Sequence, residues 1–203
     1  MKPTETGDSY DKIADKWESD TFDRSNGIPQ HEHALKFLNR KGNALDVGCG
    51  CNGRIIDLLI QHGLEVEGLD VSSEMITRAR KRHPEVIFHH RDICVWDLPG
   101  KYDFISAWDS IWHVPLNQQE ALMMKLSEAL KPGGIMIFTT GGLDQESEHR
   151  DANMGPEVYY GTLGIPRTLE LLRECRLICR HLEYDQYPEM HLYLIAQKVK
   201  DPS

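Results

Sequence analysis

The stretch ALDVGCGCNGR, from Ala44 to Arg54, decides how the rest of the sequence is interpreted. Its glycines have the GxGxxG spacing of a nicotinamide dinucleotide site: Gly48, Gly50 and Gly53. Asp46 stands two residues before the first of them, inside a short apolar segment that predicts a buried strand. A carboxylate repels a pyrophosphate, so two kinds of ligand stay open here: a dinucleotide, or a nucleoside without phosphate.

Composition limits the class of protein. The 203 residues suit one domain with a sizeable core, and 40% hydrophobic and 27% charged residues are ordinary for a soluble protein. A net charge of −9 disfavours nucleic acid and favours a small molecule or another protein as partner. No apolar run is long enough to span a bilayer, and the N-terminus lacks the apolar core of a signal peptide. We therefore expect a cytoplasmic protein without membrane or nucleic-acid partners, as a monomer or homodimer.

The five cysteines predict neither a disulfide framework nor a metal site. Cys49 and Cys51 are separated by one residue, and Cys175 and Cys179 by three, whereas a zinc knuckle uses C-x2-C. Their odd number favours reduced thiols.

Strand and helix patterns alternate through the middle of the chain, which predicts βαβ units with right-handed crossovers and a parallel sheet. The predicted strands there are 44–47, 65–69, 86–88, 102–107 and 135–139. Two final strands, 176–184 and 190–199, have no helix between them and should pair antiparallel. The expected fold is α/β: a doubly wound, mostly parallel seven-stranded sheet with an antiparallel C-terminal edge hairpin.

In such sheets a ligand binds beyond the carboxyl ends of the strands, so the loop after the first strand is the expected site. Gly48 and Gly50 let the backbone turn tightly and approach the ligand closely. Asp70, at the end of the second strand, is placed to accept the two hydroxyls of a ribose. The loop and this aspartate together predict a nucleoside ligand.

Further segments share an order and spacing with a known family. DVGCG is followed by GLDVS, by RDI at residues 91–93 and by LKPGG at residues 130–134, and YDKIADKW at residues 10–17 precedes them all. This order resembles the class I S-adenosylmethionine-dependent methyltransferases and extends over nearly the whole chain. The commoner family loop reads GCGTG, whereas GCGCNG contains one extra residue, which leaves Asn52 and Gly53 as alternatives for the last loop position near the ligand.

The resemblance implies S-adenosyl-L-methionine as cofactor. Asp46 would orient the loop and hold the methionine ammonium, Asp70 would bind the ribose, and Asp92 the adenine amino group. The full implied set for the cofactor is Tyr10, Trp17, Asp46, Gly48, Cys49, Gly50, Gly53, Asp70, Val71, Met75, Asp92, Ile93, Ala107 and Trp108.

Purely structural roles remain open for several of these residues. Asp46 can cap its own loop, Asp92 can cap a turn, and Met75 can be ordinary core. Tyr10 and Trp17 can form a simple hydrophobic lid.

The acceptor side is expected after the fourth and fifth strands. In AWDSIWHVP, residues 107–115, His113 is the candidate general base because its ordinary pKa is about 6.5. The alternative is that His113 packs or hydrogen-bonds at a junction of loop and helix without acting as a base. Residues 141–164 are polar, glycine-punctuated and too long for a plain connection, so they predict either a functional loop or a flexible surface loop. The candidate acceptor-binding residues are Trp112, His113, Tyr159 and Tyr160, with His149 and Arg150 nearby in the sequence.

One methyltransferase domain, 1–203, is expected, in four parts: N-terminal cap helices in 1–40, a cofactor-binding core in 43–139, an acceptor-side loop in 140–165, and a C-terminal helix and hairpin in 166–199. The predicted activity is methyl transfer to a small molecule by in-line displacement. Two alternatives stay open: an NAD(P)-dependent oxidoreductase, and a non-catalytic nucleoside-binding domain.

Overall fold

A computed structural model describes residues 1–200 of the chain. Seven strands form one sheet, in the spatial order β3-β2-β1-β4-β5-β9-β8. The strands β1 to β5 pair in parallel, and β9 pairs antiparallel with both β5 and β8. The bounds of these strands are β1 Asn43–Val47, β2 Glu65–Asp70, β3 Ile87–His90, β4 Tyr102–Ala107, β5 Leu130–Gly141, β8 Leu177–Tyr184 and β9 His191–Lys198. The predicted fold is confirmed.

Helices cover both faces of the sheet, because alternate residues of each strand point to opposite sides. The apolar faces of α3, α4 and α5 pack on one side, against Ala44, Phe104 and Ile137. The faces of α6 and α7 pack on the other side, against Leu45, Ile105 and Phe138. The helices are α1 Pro3–Asp11, α2 Asp15–Glu18, α3 Ile28–Leu35, α4 Arg54–Gln61, α5 Ser73–Arg82, α6 Leu116–Ala129 and α7 Ile165–Glu174, with a short 3₁₀ helix at Ile111–His113.

Two predicted segments have a different structure. The expected cap helix at residues 10–17 is divided into α1 and α2, which are joined by a turn at residues 12–14. The polar segment at 140–165 is not an irregular loop, since it contains a separate antiparallel hairpin of β6 Ser147–Asp151 and β7 Val158–Thr162. In this hairpin β7 is mostly buried and β6 is mostly exposed. Only β7 therefore has hydrophobic residues, and the polar sequence of β6 does not predict a strand.

A serine caps the start of one helix, and a glycine follows the end of another. Ser72 caps α5, and its hydroxyl accepts from the backbone N–H of Met75 at 3.1 Å. Gly63 follows α4 with φ +78°, in the left-handed region. Within residues 1–200 no helix is long and apolar enough to cross a membrane.

The fully buried Leu126 of α6 tests how much the helix layer contributes to stability. We expect Leu126→Ala to lower the free energy of unfolding by about 2 to 5 kcal/mol, because the change removes apolar contacts and leaves a cavity. Met124→Ala on the same helix is the matched control, since Met124 is 41% exposed and its loss should change stability by about 0.5 kcal/mol or less. Urea unfolding measures both; equal losses in the two variants would contradict the assigned packing.

Candidate functional site

The candidate site is a cavity of about 360 Å³ at the carboxyl ends of β1 to β4. The loop after β1 and the ends of β2 and β3 form one part of its wall, and residues 108–114 after β4 form another. The helices α1 and α2 and the hairpin β6–β7 contribute the remaining side. The location agrees with the rule that ligands of doubly wound sheets bind beyond the carboxyl ends of the strands.

The glycine loop has a backbone conformation that residues with a side chain rarely adopt. Gly48 has φ +73° and Gly50 φ +58°. A Cβ on Gly48 would lie 2.3 Å from the Cβ of Ser110, while one on Gly50 would meet no atom within 4 Å. Gly48 therefore permits close packing against the β4 loop, and Gly50 leaves space at the cavity.

Asp70 fixes the loop and retains capacity for a ligand. Its Oδ2 accepts from the backbone N–H of Gly50 at 2.9 Å, and its Oδ1 from that of Ser72, also at 2.9 Å. Burial raises the pKa of this carboxyl above its ordinary value, against the opposing effect of the backbone hydrogen bonds. A carboxylate accepts about four hydrogen bonds, so Asp70 retains capacity for a further donor beside these backbone groups and Val71.

Asp92 lies in the cavity wall and also caps a turn. Its Oδ1 accepts from the backbone N–H of Cys94 at 2.8 Å, just after β3. Ile93 and Met75 are buried and line the same end of the cavity. The turn-capping role considered from the sequence is therefore present, and the predicted adenine contact stays a prediction.

The cavity brings together most of the residues predicted for the cofactor. Those in its wall are Tyr10, Trp17, Gly48, Cys49, Gly50, Asp70, Val71, Met75, Asp92, Ile93 and Trp108.

Asp46, Gly53 and Ala107 do not line the cavity. Asp46 is 3% exposed behind the loop, where burial raises its pKa to about 6 and the Ser106 hydroxyl hydrogen-bonds to it. Ala107 is fully buried in β4. Gly53 is the N-cap of α4, and a Cβ at this position would lie 2.3 Å from Cε1 of His83. Of the two alternatives for the last loop position, Asn52 lines the cavity and Gly53 does not.

His113 is enclosed by three hydrogen-bonding groups. Its Nδ1 lies 2.7 Å from the carbonyl oxygen of Tyr159, which only accepts, so Nδ1 carries the proton. Its Nε2 therefore accepts from the Tyr10 hydroxyl at 2.8 Å and from Trp112 Nε1–H at 3.0 Å. Burial lowers the pKa of His113 to about 4, so the imidazole is neutral at pH 7.

The tyrosines of β7 point in opposite directions, as neighbours on a strand do. Tyr160 lines the cavity and stacks on His149 with ring centroids 5.2 Å apart. Tyr159 faces away, because its hydroxyl donates to Glu148 at 2.6 Å and accepts from Leu116 N–H at 2.8 Å. Arg150 pairs with Glu157 at 3.3 Å. The structure therefore places Tyr160, but not Tyr159, in the wall.

Three residues that the sequence analysis missed form a linked group beside the cavity. His191 Nε2 lies 2.9 Å from Asp109 Oδ1, and its Nδ1 lies 2.5 Å from Asp185 Oδ1. Burial acts to lower the pKa of His191, but the two carboxylates raise it above its ordinary value. Asp109 was detectable within AWDSIWHVP as a carboxylate directly after a strand, whereas nothing local marks His191 or Asp185.

Comparisons with known proteins give the class. A family described as a methyltransferase domain matches residues 27–181. Phosphoethanolamine N-methyltransferase of Plasmodium falciparum is 29% identical over 50% of this chain and 40% of its own length. Ubiquinone biosynthesis O-methyltransferase of Chromobacterium violaceum is 29% identical over 66% of this chain and 61% of its own length. The chain thus aligns with about half the length of these curated relatives.

Among solved structures, 1,6-didemethyltoxoflavin-N1-methyltransferase of Burkholderia thailandensis superposes with a TM-score of 0.73. The alignment covers 98% of this chain and 92% of that one, at 17% identity, and so shows a shared fold. Because the family match covers more than half of the chain, the protein belongs to the methyltransferase domain family. The predicted resemblance to class I S-adenosylmethionine-dependent methyltransferases is confirmed.

The protonation of His113 is testable directly. Its pKa is about 4 when folded, against about 6.5 in an unfolded chain, so the unfolded state binds more protons between these values. This histidine therefore contributes stability above pH 6.5 that is lost as the pH falls toward 4. Tyr10→Phe removes a donor to Nε2 and should raise the pKa of His113, because the lost bond favoured the neutral form.

Imidazole ¹⁵N NMR spectra recorded against pH measure both values. Tyr187→Phe is the matched control, since Tyr187 is 77% exposed and does not line the cavity. A wild-type His113 that titrates near its ordinary value, or a Tyr10→Phe variant without effect, contradicts the assigned hydrogen bonds.

Proposed function

We propose that the protein transfers a methyl group from S-adenosyl-L-methionine to a small-molecule acceptor. The observation that carries this proposal is the continuous cavity. One end has the glycine loop, Asp70 and Asp92, and the other has Trp112, His113 and Tyr160. A donor nucleoside at the first end would present its reactive group toward the second.

The residues present fit this donor. Three buried polar atoms in the cavity wall have no hydrogen-bond partner within residues 1–200: Thr6 Oγ1, Asn52 Nδ2 and Ser110 Oγ. Buried polar groups are normally satisfied, so these three atoms are candidates for a hydrogen bond to a polar ligand or to a bound water. Three carboxylates line the wall, those of Asp70, Asp92 and Asp109, against the two guanidinium groups of Arg54 and Arg91. This excess of negative charge suits an ammonium and a sulfonium better than the pyrophosphate of a dinucleotide.

The proposed contacts follow the order of the strands. Ile93 and Asp92 would meet the adenine, with Val71 and Met75 packed on the ring, and Asp70 would accept from the ribose. Tyr10 and Trp17 would cover the donor as a lid, since their rings pack edge to face at 5.3 Å. Asp46 would act by holding the loop from behind, because Gly48, and not Asp46, lines the cavity.

When bound, the donor supplies a methyl carbon already activated by its sulfonium. The chain then has to align the acceptor and exclude water, and alignment of this kind contributes about 7 to 11 kcal/mol in well-oriented reactions. Trp112 and Tyr160 would form the walls for an acceptor with a flat or cationic face. His113 as a general base stays a prediction. Its low pKa and the two donors on Nε2 support a positioning role, in which it holds the Tyr10 hydroxyl in the cavity.

The negative charge supports the further proposal that no nucleic acid is bound. The cytoplasmic location and the monomeric or homodimeric state stay predictions.

Isothermal titration calorimetry with S-adenosylhomocysteine, NAD and NADP tests the proposal without an identified acceptor. We expect saturable binding of S-adenosylhomocysteine and no response to either dinucleotide. Dinucleotide binding without a response to the thioether would reject the methyltransferase function and restore the oxidoreductase alternative.

A second prediction concerns Asp70. Asp70→Ala should reduce the affinity for S-adenosylhomocysteine at least about 10-fold, because hydrogen bonds to a charged group contribute about 1.5 to 3 kcal/mol. Asp70 also holds the backbone of Gly50, so a loss of affinity alone would not show a direct contact with the ribose. The 2′-deoxyribose analogue of S-adenosylhomocysteine makes the distinction. Only the wild type should bind this analogue more weakly than S-adenosylhomocysteine itself. Asp97→Ala, at an exposed carboxylate outside the cavity, is the control. Equal discrimination in Asp70→Ala and wild type would exclude a contact with the ribose.

A further inference from the structure

A histidine held between two carboxylates lies beside the acceptor end of the cavity, and the proposed function gives it no role. His191 Nε2 lies 2.9 Å from Asp109 Oδ1, after β4, and its Nδ1 lies 2.5 Å from Asp185 Oδ1, in the turn between β8 and β9. Gln30 of α3 donates to the other oxygen of Asp185 at 3.0 Å. We call His191, Asp109 and Asp185 the histidine clamp.

The two contacts determine the charge of the ring. An ionised carboxylate only accepts, so each hydrogen bond requires a proton on the ring nitrogen that faces it, and His191 is an imidazolium. Burial acts to lower the pKa of His191, but the hydrogen bonds and charges of the two carboxylates raise it above its ordinary value. The clamp as a whole carries one negative charge, so the acceptor end stays negative.

The other neighbours of the ring do not compete for its protons. Trp108 and Trp112 pack against it with ring centroids 5.7 and 5.3 Å away, and Gly141 is its partner on β5. Further titratable side chains line a cavity together with His191, but within residues 1–200 none of them hydrogen-bonds to it: Tyr10, Arg54, His113, His149, Tyr160 and Glu189. The charge of the ring therefore depends on Asp109 and Asp185.

Removal of one proton from His191 breaks half of the clamp. A neutral imidazole has a single N–H, and its bare nitrogen then faces a carboxylate oxygen that also only accepts. One hydrogen bond is thus replaced by repulsion between lone pairs. Because the pKa of the folded state is raised, the clamp stabilises the fold fully below about pH 6.5. This contribution is lost as the pH rises through the raised value.

The clamp joins the turn at residues 185–190 to the segment after β4. In the described part of the chain, Asp185 is the one residue of this turn whose side chain makes hydrogen bonds. At the other end of the clamp, Asp109 has φ +51°, in the left-handed region, and its N–H donates to Thr139 Oγ1 at 2.8 Å. The Asp109 carboxylate is therefore fixed both through its backbone and through His191.

The turn borders two adjoining cavities. Gln186 lines the candidate cavity, whereas Glu189 and Met190 line a neighbouring one of about 430 Å³. Three aromatic side chains line both cavities: Trp112, Tyr160 and His191. The clamp thus lies where the cavities meet, and the turn forms part of the mouth of the acceptor end.

We propose that the His191 imidazolium is a positioning residue, which holds the β8–β9 turn against Asp109 and so shapes the mouth of the acceptor end. When the ring loses one of its two protons, the turn is released and the mouth opens. The use of this mouth by a methyl acceptor rests on the proposed function, whereas the clamp itself does not.

NMR spectra of the full chain, recorded against pH without a ligand, test the clamp. Imidazole ¹⁵N signals of His191 should show two protonated nitrogens at pH 7 and a titration above about pH 6.5. The amides of Gly142 and Glu189 report the order of the turn, since they donate to the carbonyl oxygens of Met190 and Gln186 at 2.8 and 2.9 Å. Their exchange, corrected for intrinsic rates, should become about 10-fold faster as His191 titrates.

Asp185→Asn keeps an acceptor oxygen and removes the charge. It should lower the pH of both transitions together by about 1 to 3 pH units, because a neighbouring opposite charge favours the charged form of a group by that much. His191→Gln keeps a donor and cannot titrate, so its corrected amide exchange should be fast at every pH. Glu189→Gln is the matched control: Glu189 is an exposed carboxylate of the same turn without a contact to the ring, and its loss should leave both transitions in place.

A single protonated nitrogen on wild-type His191 at pH 7 overturns the clamp. Amide exchange that stays constant while the ring titrates also overturns it, as does an Asp185→Asn variant that moves neither transition. Calorimetry with S-adenosylhomocysteine separates this result from the proposed function. Both transitions without ligand binding support the clamp and reject the methyltransferase function, whereas ligand binding without the transitions rejects the clamp alone.

Discussion

The site depends on a small set of hydrogen bonds that tie the glycine loop to the end of β2. The carbonyl oxygen of Leu69 accepts from the N–H groups of Gly48 and Cys49 at 2.7 and 3.0 Å, and Asp70 accepts from Gly50 one residue further on. Gly48 and Gly50 make their bonds from the left-handed region of the backbone, which glycine adopts without strain. They leave the loop open toward the cavity and fix its distance from Asp70, so the wall at this end is determined before any ligand arrives.

The sequence predicted the sheet well because its elements carry strong local signals. The strands β1 and β4 are short, buried segments, and α4 and α5 have clear apolar faces. The hairpin β6–β7 lacked such a signal: Ser147–Asp151 is polar and gains its structure only by pairing with Val158–Thr162. The local sequence also does not show that the N-terminal helix is divided into α1 and α2. Ala14, in the turn between them, packs against Cys51 and Met75, which are distant in the sequence.

The site was predictable where function follows from position on a strand, and much less so where distant segments meet. Asp70 and Asp92 could be placed because each follows a predicted strand. For Asp46 the sequence left open whether the carboxylate holds the loop or also reaches the ligand, because strand alternation alone does not show which polar group lies behind the loop. His191 reaches the cavity from the β8–β9 hairpin, and Asp185 contacts it from the turn of the same hairpin. His191 lies 82 residues after Asp109, so no sequence spacing connects the two.

The two ends of the cavity are built from different parts of the chain. Residues 48–93 alone supply the glycine loop, Asp70 and Asp92, whereas the other end combines α1, the segment after β4, the β6–β7 hairpin and the start of β9. The Ser9 hydroxyl donates to the Glu157 carbonyl and Lys16 Nζ to that of Met154, both at 2.7 Å, which joins the N-terminal helices to the segment between β6 and β7. The same helix α1 also contacts the glycine-loop end, because Asp11 accepts from the Ser72 hydroxyl and from the backbone N–H of Glu74. A substitution in α1 therefore acts on both ends of the cavity at once.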